Sequence, residues 1–209
     1  MINSSTEFLV SKPPSNLEDL RFFGKFWDEE GTVEVYDEFF KREKIEYDVV
    51  KHLISSLVFD SVYEMGCGDA RFSKPLFTNK KYSGIDISNL AIKRAKESYP
   101  KDNFLCGDFL KEKPVNADLI IAIAVLDSVY NIDLTLQKMR NMANKYVIFT
   151  THYPLSKTNE HDQLFNDRTQ AYTNRLSMEK IARVFPDMKS CQNGSVIVWQ
   201  WERHHNDTD

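Results

Sequence analysis

Cysteine, glycine and long apolar runs are all scarce in this 209-residue chain. Its three cysteines, Cys67, Cys106 and Cys191, are odd in number and lack metal-ligand spacing, which predicts neither a metal site nor a disulfide framework. The longest apolar run, 119–126, is much shorter than the roughly 20 residues of a membrane span and predicts a buried strand. The first residues have neither the basic start nor the apolar stretch of a secretory signal. We therefore expect a cytoplasmic protein without membrane contact.

Positive charge is scarcer than negative charge, with 27 Lys and Arg residues against 31 Asp and Glu residues. The densest basic clusters, 41–44 and 93–96, fall within helical patterns beside acidic residues, which is typical of a solvated helix face. No basic stripe of the kind that binds a nucleic-acid backbone is visible. We therefore expect no nucleic-acid partner, while the oligomeric state stays open.

The chain divides by composition into one core segment and three flanking segments. Residues 1–16, with adjacent prolines among polar residues, predict a flexible N-terminal arm. Aromatic and apolar residues, many at helical spacing, predict a helical cap over 17–57. Residues 58–203 predict a single domain, and residues 204–209 predict a flexible tail.

Strand and helix patterns alternate through the core segment. Apolar runs predict strands at 61–65, 81–87, 103–109, 117–125 and 145–151. Helical spacing predicts helices at 69–77, 89–99 and about 132–143, with Ser88 capping the second of them. This alternation predicts a parallel sheet that is covered by helices on both faces.

The end of the chain breaks the alternation. Residues 152–176 show no regular pattern, and Ser177 then caps a predicted helix over 178–185. Asn193-Gly194 lies between two strand-like runs and is a strong hairpin signal. The predicted fold class is therefore α/β, with a seven-stranded sheet that is parallel except for an antiparallel last strand.

Two of the seven glycines, Gly66 and Gly68, flank Cys67 directly after the first predicted strand of the core segment. Glycines here let the backbone turn tightly and approach a ligand closely, although a plain strand-to-helix turn would use them as well. A dinucleotide fingerprint would need a third glycine where Arg71 stands. The pair therefore disfavours a pyrophosphate ligand.

Glu64 precedes the glycines and gives the pattern E-x-G-x-G-x-A, with Ala70 as its last residue. This pattern resembles motif I of the class I S-adenosylmethionine-dependent methyltransferases, which often carry glycine at the last position. The resemblance implies a Rossmann-like fold, S-adenosyl-L-methionine as cofactor, and cofactor contacts at Glu64, Gly66, Cys67 and Gly68. Glu64 is equally open to a role as partner of the loop amides.

Later positions of the chain continue the resemblance, which covers about 62–202. It implies that Asp86 binds the adenosine ribose, that Ile87 lines the adenine, and that Asp108 and Phe109 lie near the adenine amino group. The run 117–129 is similar to the family's fourth strand and following turn, which adds the cofactor-binding candidates Ala124 and Leu126. Helix capping by Asp86 and a turn role for Asp108 stay open as alternatives.

Candidate catalytic residues come from the segments that build acceptor sites in the resembled family. His152 follows the fifth strand and titrates near neutral pH, which favours it as a base, although a backbone hydrogen bond is the simpler role. Asp127 either binds a substrate amine or caps the next helix. Tyr36 resembles the aromatic lid of small-molecule N-methyltransferases, or is an ordinary residue of an amphipathic helix.

The class of methyl acceptor is predicted from a substrate-binding motif that the chain lacks. Residues 122–127 read AIAVLD in place of the N/D-P-P-(Y/F) motif that binds planar amides and the amino groups of bases. We therefore expect methyl transfer to an amine or hydroxyl of a small metabolite. The alternatives are a protein methyltransferase, a dehydrogenase of the doubly wound type, and an inactive cofactor-binding or partner-binding protein of the same fold.

Overall fold

The computed structural model of the protein describes residues 10–11, 28, 44, 46–152, 155–166 and 171–204. Within them, the strands are β1 (Val10–Ser11), β2 (Ser61–Met65), β3 (Lys81–Asp86), β4 (Asn103–Cys106), β5 (Ala117–Ala122), β6 (Ala143–His152), β7 (Asp162–Asn166), β8 (Ala171–Arg175), β9 (Lys189–Asn193) and β10 (Val196–Glu202). The helices are α1 (46–54), α2 (Asn89–Ser98), α3 (Ile132–Met142) and α4 (Met178–Val184), with 3-10 turns at Lys74–Phe77 and Leu126–Ser128. Much of the predicted helical cap lies outside these residues, and so does Tyr36.

The central sheet has seven strands in the order β4-β3-β2-β5-β6-β10-β9. The strands from β4 to β6 pair in parallel, and β10 pairs antiparallel with both β6 and β9. The Asn193-Gly194 hairpin joins the last two strands as its turn signal predicts. The predicted fold class is confirmed.

Strand β5 lies between two hydrophobic cores because both of its faces are apolar. Ile120 packs in one core with Leu136, Phe149 and Trp199. The side chains of Leu119 and Ile121 point to the other face, where they pack in the second core. These three of the six β5 residues are fully buried, as expected for a central strand that has helices on both sides.

Helix α2 begins where its capping signal predicts. The Ser88 hydroxyl accepts a hydrogen bond from the Ala91 amide at 3.1 Å. Ser177 caps α4 in the same way through the Lys180 amide at 3.4 Å. The Ser88 cap places the N-terminus of α2 directly after β3, at the carboxyl end of that strand.

The predicted helix over 69–77 is wrong. Ala70 has a φ of 59°, in the left-handed region that interrupts a right-handed helix. Pro75 then stands at the start of a short 3-10 turn, Lys74–Phe77, where its missing amide hydrogen is not needed. The chain therefore leaves β2 through a series of turns.

Residues 152–176, predicted to be irregular, contain β7 and β8. These strands pair antiparallel, with Leu164 opposite Thr173, and β1 pairs with β7, with Val10 opposite Asn166. Residues 10–11, which belong to the predicted flexible arm, therefore lie in a three-stranded sheet with order β1-β7-β8. In the part of the chain that the structure describes, no helix has the length and apolar character needed to cross a membrane.

Candidate functional site

The glycine loop that follows β2 turns sharply at the carboxyl edge of the sheet. Gly66 and Gly68 have φ angles of 73° and 53°, which glycine adopts without strain. The amides of Gly66 and Cys67 both donate to the Ile85 carbonyl, at 2.8 and 3.0 Å. On the other side, a Cβ added to Gly66 would overlap one methyl group of Val125 and lie 3.0 Å from the other. The loop is thus held between β3 and the turn after β5.

Ala70 occupies the position where the resembled motif often has glycine, and its φ of 59° supplies a physical reason for that preference. We expect Ala70→Gly to stabilise the protein by about 0.5–1 kcal/mol, because relief of left-handed strain exceeds the entropy that glycine gains in the unfolded chain. Chemical denaturation measures the change. Ala95→Gly, in the buried interior of α2, is the matched control and should destabilise. Equal losses in both variants would contradict this account.

Asp86, the last residue of β3, joins the glycine loop to α2. Its Oδ2 accepts from the Gly68 amide at 2.8 Å, and its Oδ1 accepts from the Ser88 amide at 2.9 Å. Burial raises the pKa of Asp86, while these amides act to lower it. A carboxylate offers about four acceptor positions, so each oxygen retains capacity for a further donor such as a ribose hydroxyl. The remaining acceptor positions of Asp86 therefore fit the hydroxyl donors of a ribose.

Asp28, which the sequence reasoning missed, brings a second carboxylate to the start of α2. Its Oδ1 accepts from the Ser88 hydroxyl at 2.6 Å and from the Leu90 amide at 3.0 Å. Its negative charge contributes to the raised pKa of Asp86. No local motif marks Asp28, since its partners lie about 60 residues away in the chain.

Asp108 lies beside Asp86 because the Gly107 amide donates to the Asp86 carbonyl at 2.9 Å. The Asp108 carboxylate accepts from the Leu110 amide at 2.9 Å and from the Tyr130 hydroxyl at 3.0 Å. Burial raises the pKa of Tyr130 to about 12, so this hydroxyl stays a donor. Phe109 packs against the core, and Ile87 is half-buried next to Asp86.

Three predicted cofactor residues have buried side chains. Glu64 is 1% exposed, accepts a hydrogen bond from the buried Tyr82 hydroxyl, and has a pKa raised to about 7 by burial. Leu126 is fully buried in the core. The Cys67 thiol is buried against Gly84, where a Cβ would come within 2.7 Å of its sulfur. Burial leaves these three side chains with packing roles in the structure.

The turn after β5 is held by contacts on several sides. Ala124 has a φ of 55°, and its amide donates to the Thr150 hydroxyl at 2.8 Å. The side-chain amide of Asn174, on β8, donates to the carbonyls of Leu126 and Val129 at 3.0 and 2.6 Å. The β7–β8 hairpin therefore fixes the turn that carries Asp127.

Asp127 and His152 meet at the end of β6, and the structure adds Glu46 from α1. His152 Nδ1 bonds to Asp127 Oδ2, and its Nε2 lies 3.2 Å from Glu46 Oε1. The Thr150 hydroxyl donates to Glu46 Oε2. We call Glu46, Asp127, Thr150 and His152 the His152 cluster. No sequence signal marks Glu46, which resembles any other polar residue of a helix.

His152 is a cation in this arrangement. The hydrogen bond to Asp127 and then the contact with Glu46 raise its pKa from 6.5 to about 10, although burial opposes the change. With the imidazolium donating to Asp127 and facing Glu46, His152 is poorly suited to take a proton from a substrate. It is well suited to hold the Asp127 carboxylate in place.

The raised pKa of His152 links folding to pH. Its stabilising contribution should be complete below about pH 6.5 and lost as the pH rises through about 10. Since the side chain is 41% exposed, we discount for solvent screening and expect a loss of about 1–2 kcal/mol. The measurement is the unfolding free energy of wild type minus His152→Gln across this range, with exposed His52→Gln as control. A difference that stays constant with pH would refute the linkage.

Comparison of the sequence with known protein families identifies the family of this chain. A family model described as a methyltransferase domain matches residues 60–205. The chain belongs to this methyltransferase family. S-adenosylmethionine is the cofactor of this methyltransferase, and the predicted family and cofactor are both confirmed. No curated protein matches its sequence.

Solved structures share the fold of this methyltransferase at low sequence identity. Magnesium protoporphyrin IX methyltransferase from Synechocystis PCC 6803, with bound S-adenosylmethionine, aligns with a TM-score of 0.66 and 15% identity over 91% of this chain and 100% of that chain. A possible histamine N-methyltransferase from Thermotoga maritima gives 0.62 and 15% over 86% and 99%. The N-methyltransferase NodS from Bradyrhizobium japonicum WM9 gives 0.55 and 17% over 77% and 86%. Among the described residues, no group of His, Cys, Asp and Glu has a metal-binding arrangement.

Proposed function

We propose that this methyltransferase transfers a methyl group to an amine or hydroxyl of a small metabolite that binds at the His152 cluster. One observation carries the proposal. Asp127 Oδ1 is buried and has no hydrogen-bond partner in the described part of the chain. A buried hydrogen-bond acceptor of this kind costs free energy unless a hydrogen-bond donor reaches it. A substrate that carries an N–H or O–H group supplies that donor.

The neighbouring residues would hold the cofactor. Asp86 would accept hydrogen bonds from the ribose hydroxyls, the loop at Gly66–Gly68 would lie against the amino-acid end, and Asp108 would lie near the adenine. S-adenosylmethionine supplies an electrophilic methyl group on a positively charged sulfur. Val125 contacts Gly66, and Asp127 is two residues further along the same turn. This short separation supports the assignment of the His152 cluster to the methyl acceptor.

The roles of the cluster residues follow from their charges. Asp127 would accept a hydrogen bond from the substrate atom that receives the methyl group. This hydrogen bond would orient the lone pair of that substrate atom. His152, as an imidazolium, would act as a positioning residue that fixes Asp127 and tempers its negative charge. Glu46 would hold the opposite side of the ring. An amine acceptor needs little further help, and a hydroxyl acceptor would pass its proton towards the Asp127 carboxylate.

The test is transfer of labelled methyl groups from S-adenosylmethionine to fractions of a cell extract. The fractions contain small metabolites, proteins and nucleic acids, and each product is identified by mass spectrometry. We expect label in the small-metabolite fraction, on nitrogen or oxygen. Label confined to the protein or nucleic-acid fraction, or cofactor binding without any transfer, would reject the proposal.

A further inference from the structure

We propose that the methyl acceptor is an amine that binds as a cation, through N–H groups that donate to the Glu46 and Asp127 carboxylates. The Asp127 carboxylate, whose Oδ1 has no hydrogen-bond partner among the described residues, would then take one N–H proton from the bound ammonium and so free the nitrogen lone pair for methyl transfer. This inference rests on the proposed function and narrows it to one class of acceptor. The His152 cluster favours such a ligand through its hydrogen-bond capacity, its charge and its burial.

Hydrogen-bond acceptors exceed donors in the cluster. Asp127 Oδ2 is bonded by His152, and Glu46 Oε2 is bonded by the Thr150 hydroxyl. Asp127 Oδ1 and Glu46 Oε1 are both buried without a hydrogen bond within the described residues, although Glu46 Oε1 lies 3.2 Å from His152 Nε2. The Thr150 hydroxyl has no spare donor, because its single proton is donated to Glu46 Oε2, and it also accepts from the Ala124 amide. A ligand that only donates fits this surplus.

The charges of the cluster lead to the same class. Two carboxylates face a single imidazolium, so the cluster carries a net negative charge when all three groups are ionised. Glu46 is completely buried, where an unbalanced charge is costly. A ligand with one positive charge would balance the cluster, whereas a carboxylate or phosphate ligand would be repelled.

An ammonium group meets both requirements better than a hydroxyl group. It has up to three N–H donors, no acceptor and a positive charge, and an aliphatic amine keeps that charge near neutral pH. A hydroxyl has one donor and two acceptor lone pairs, which would add to the surplus of acceptors. The cluster therefore discriminates between two acceptors that differ only in this group.

The experiment compares matched amines and alcohols on the enzyme saturated with S-adenosylhomocysteine. Calorimetry or ligand-observed nuclear magnetic resonance measures dissociation constants for benzylamine against benzyl alcohol and cyclohexylamine against cyclohexanol. We expect each amine to bind at least about tenfold more tightly than its alcohol. Equal binding, tighter alcohol binding, or no binding of either member would overturn the proposal.

Variants locate the preference in the cluster. Glu46→Gln and Asp127→Asn keep the side-chain size and should each remove most of the amine preference. Glu97→Gln removes one negative charge from an exposed position on α2 and should leave the preference for amines intact. Thermal melts confirm folding, and the two cluster variants test each other if one fails to fold. A preference that persists in both cluster variants, or that is lost equally in Glu97→Gln, would overturn the proposal.

A failure of the amine inference can be distinguished from a failure of the proposed function. Label on the hydroxyl of a small metabolite would reject the amine inference and leave the proposed function intact. Label on macromolecules alone would reject the proposed function, whatever the binding preference for small amines.

Discussion

Asp86→Ala should lower the affinity for S-adenosylmethionine by at least about a hundredfold. A carboxylate that accepts hydrogen bonds from two ribose hydroxyls contributes about 1.5–3 kcal/mol for each bond. The substitution also removes the acceptor of the Gly68 and Ser88 amides, which loosens the glycine loop at its contact with α2. Calorimetry with S-adenosylmethionine and S-adenosylhomocysteine measures the loss directly.

Two comparisons make the Asp86 result specific. Asp60→Ala removes an exposed carboxylate at the opposite end of the sheet and should leave cofactor affinity unchanged. Asp86→Asn keeps one acceptor oxygen and should lie between wild type and alanine. NAD should not bind measurably to any of these proteins. Unchanged S-adenosylmethionine affinity in Asp86→Ala would show that the ribose is bound elsewhere.

Gly66→Ala should destabilise the protein by about 2–5 kcal/mol and weaken cofactor binding. Left-handed backbone costs alanine about 1–2 kcal/mol, and overpacking against Val125 adds about 1–3 kcal/mol. The added methyl group has little room to adapt, because Val125 is branched at Cβ and both of its methyl carbons lie close to the new atom. Chemical denaturation gives the stability, and calorimetry gives the affinity.

Gly194 provides the control for backbone strain. Its φ is 61°, close to the 73° of Gly66, but a Cβ placed there has no heavy atom within 4 Å. Gly194→Ala should therefore cost only about 1 kcal/mol and leave cofactor binding intact. Val125→Ala in the Gly66→Ala background should recover much of the difference. If both glycine variants lose equal stability, contact with Val125 is not the cause.

The central sheet was predictable from the sequence because its buried strands appear there as short apolar runs. A run such as 117–122 is apolar on both faces, which only a covered parallel strand requires. The final hairpin was predictable for a different reason, since Asn193-Gly194 is a local turn signal. The prediction of a helix after β2 was wrong because Ala70 adopts a left-handed conformation that no propensity rule assigns to alanine.

The small β1-β7-β8 sheet was not predictable. Its β7 strand, DQLFN, is mostly polar and shows no apolar alternation, and β1 comes from a distant segment of only two residues. Pairing of this kind depends on the partner strand rather than on the strand's own sequence. Propensity and periodicity therefore gave an irregular stretch where the structure has two strands.

The candidate site was predictable where motifs are local and not elsewhere. The glycine loop and Asp86 lie at the ends of adjacent strands, so their order along the chain already implies proximity. Glu46 reaches His152 only because α1 packs over the end of the sheet, across more than a hundred residues of sequence. The sequence indicated His152 and Asp127 as separate candidates. Their hydrogen bond, together with the contact between His152 and Glu46, raises the pKa of His152 and makes the imidazole a cation rather than a base.

The turn from Val125 to Asp127 has a thermodynamic consequence for the order of ligand binding. Val125 lies against the glycine loop, Asp127 bonds to His152, and Asn174 holds the carbonyls on either side of Asp127. A shift of this turn on binding of one ligand would displace residues of both proposed sites at once. The two affinities are then coupled by a single free energy, and linkage requires the coupling to be reciprocal. Whatever factor the methyl donor applies to acceptor affinity, the acceptor applies to the donor.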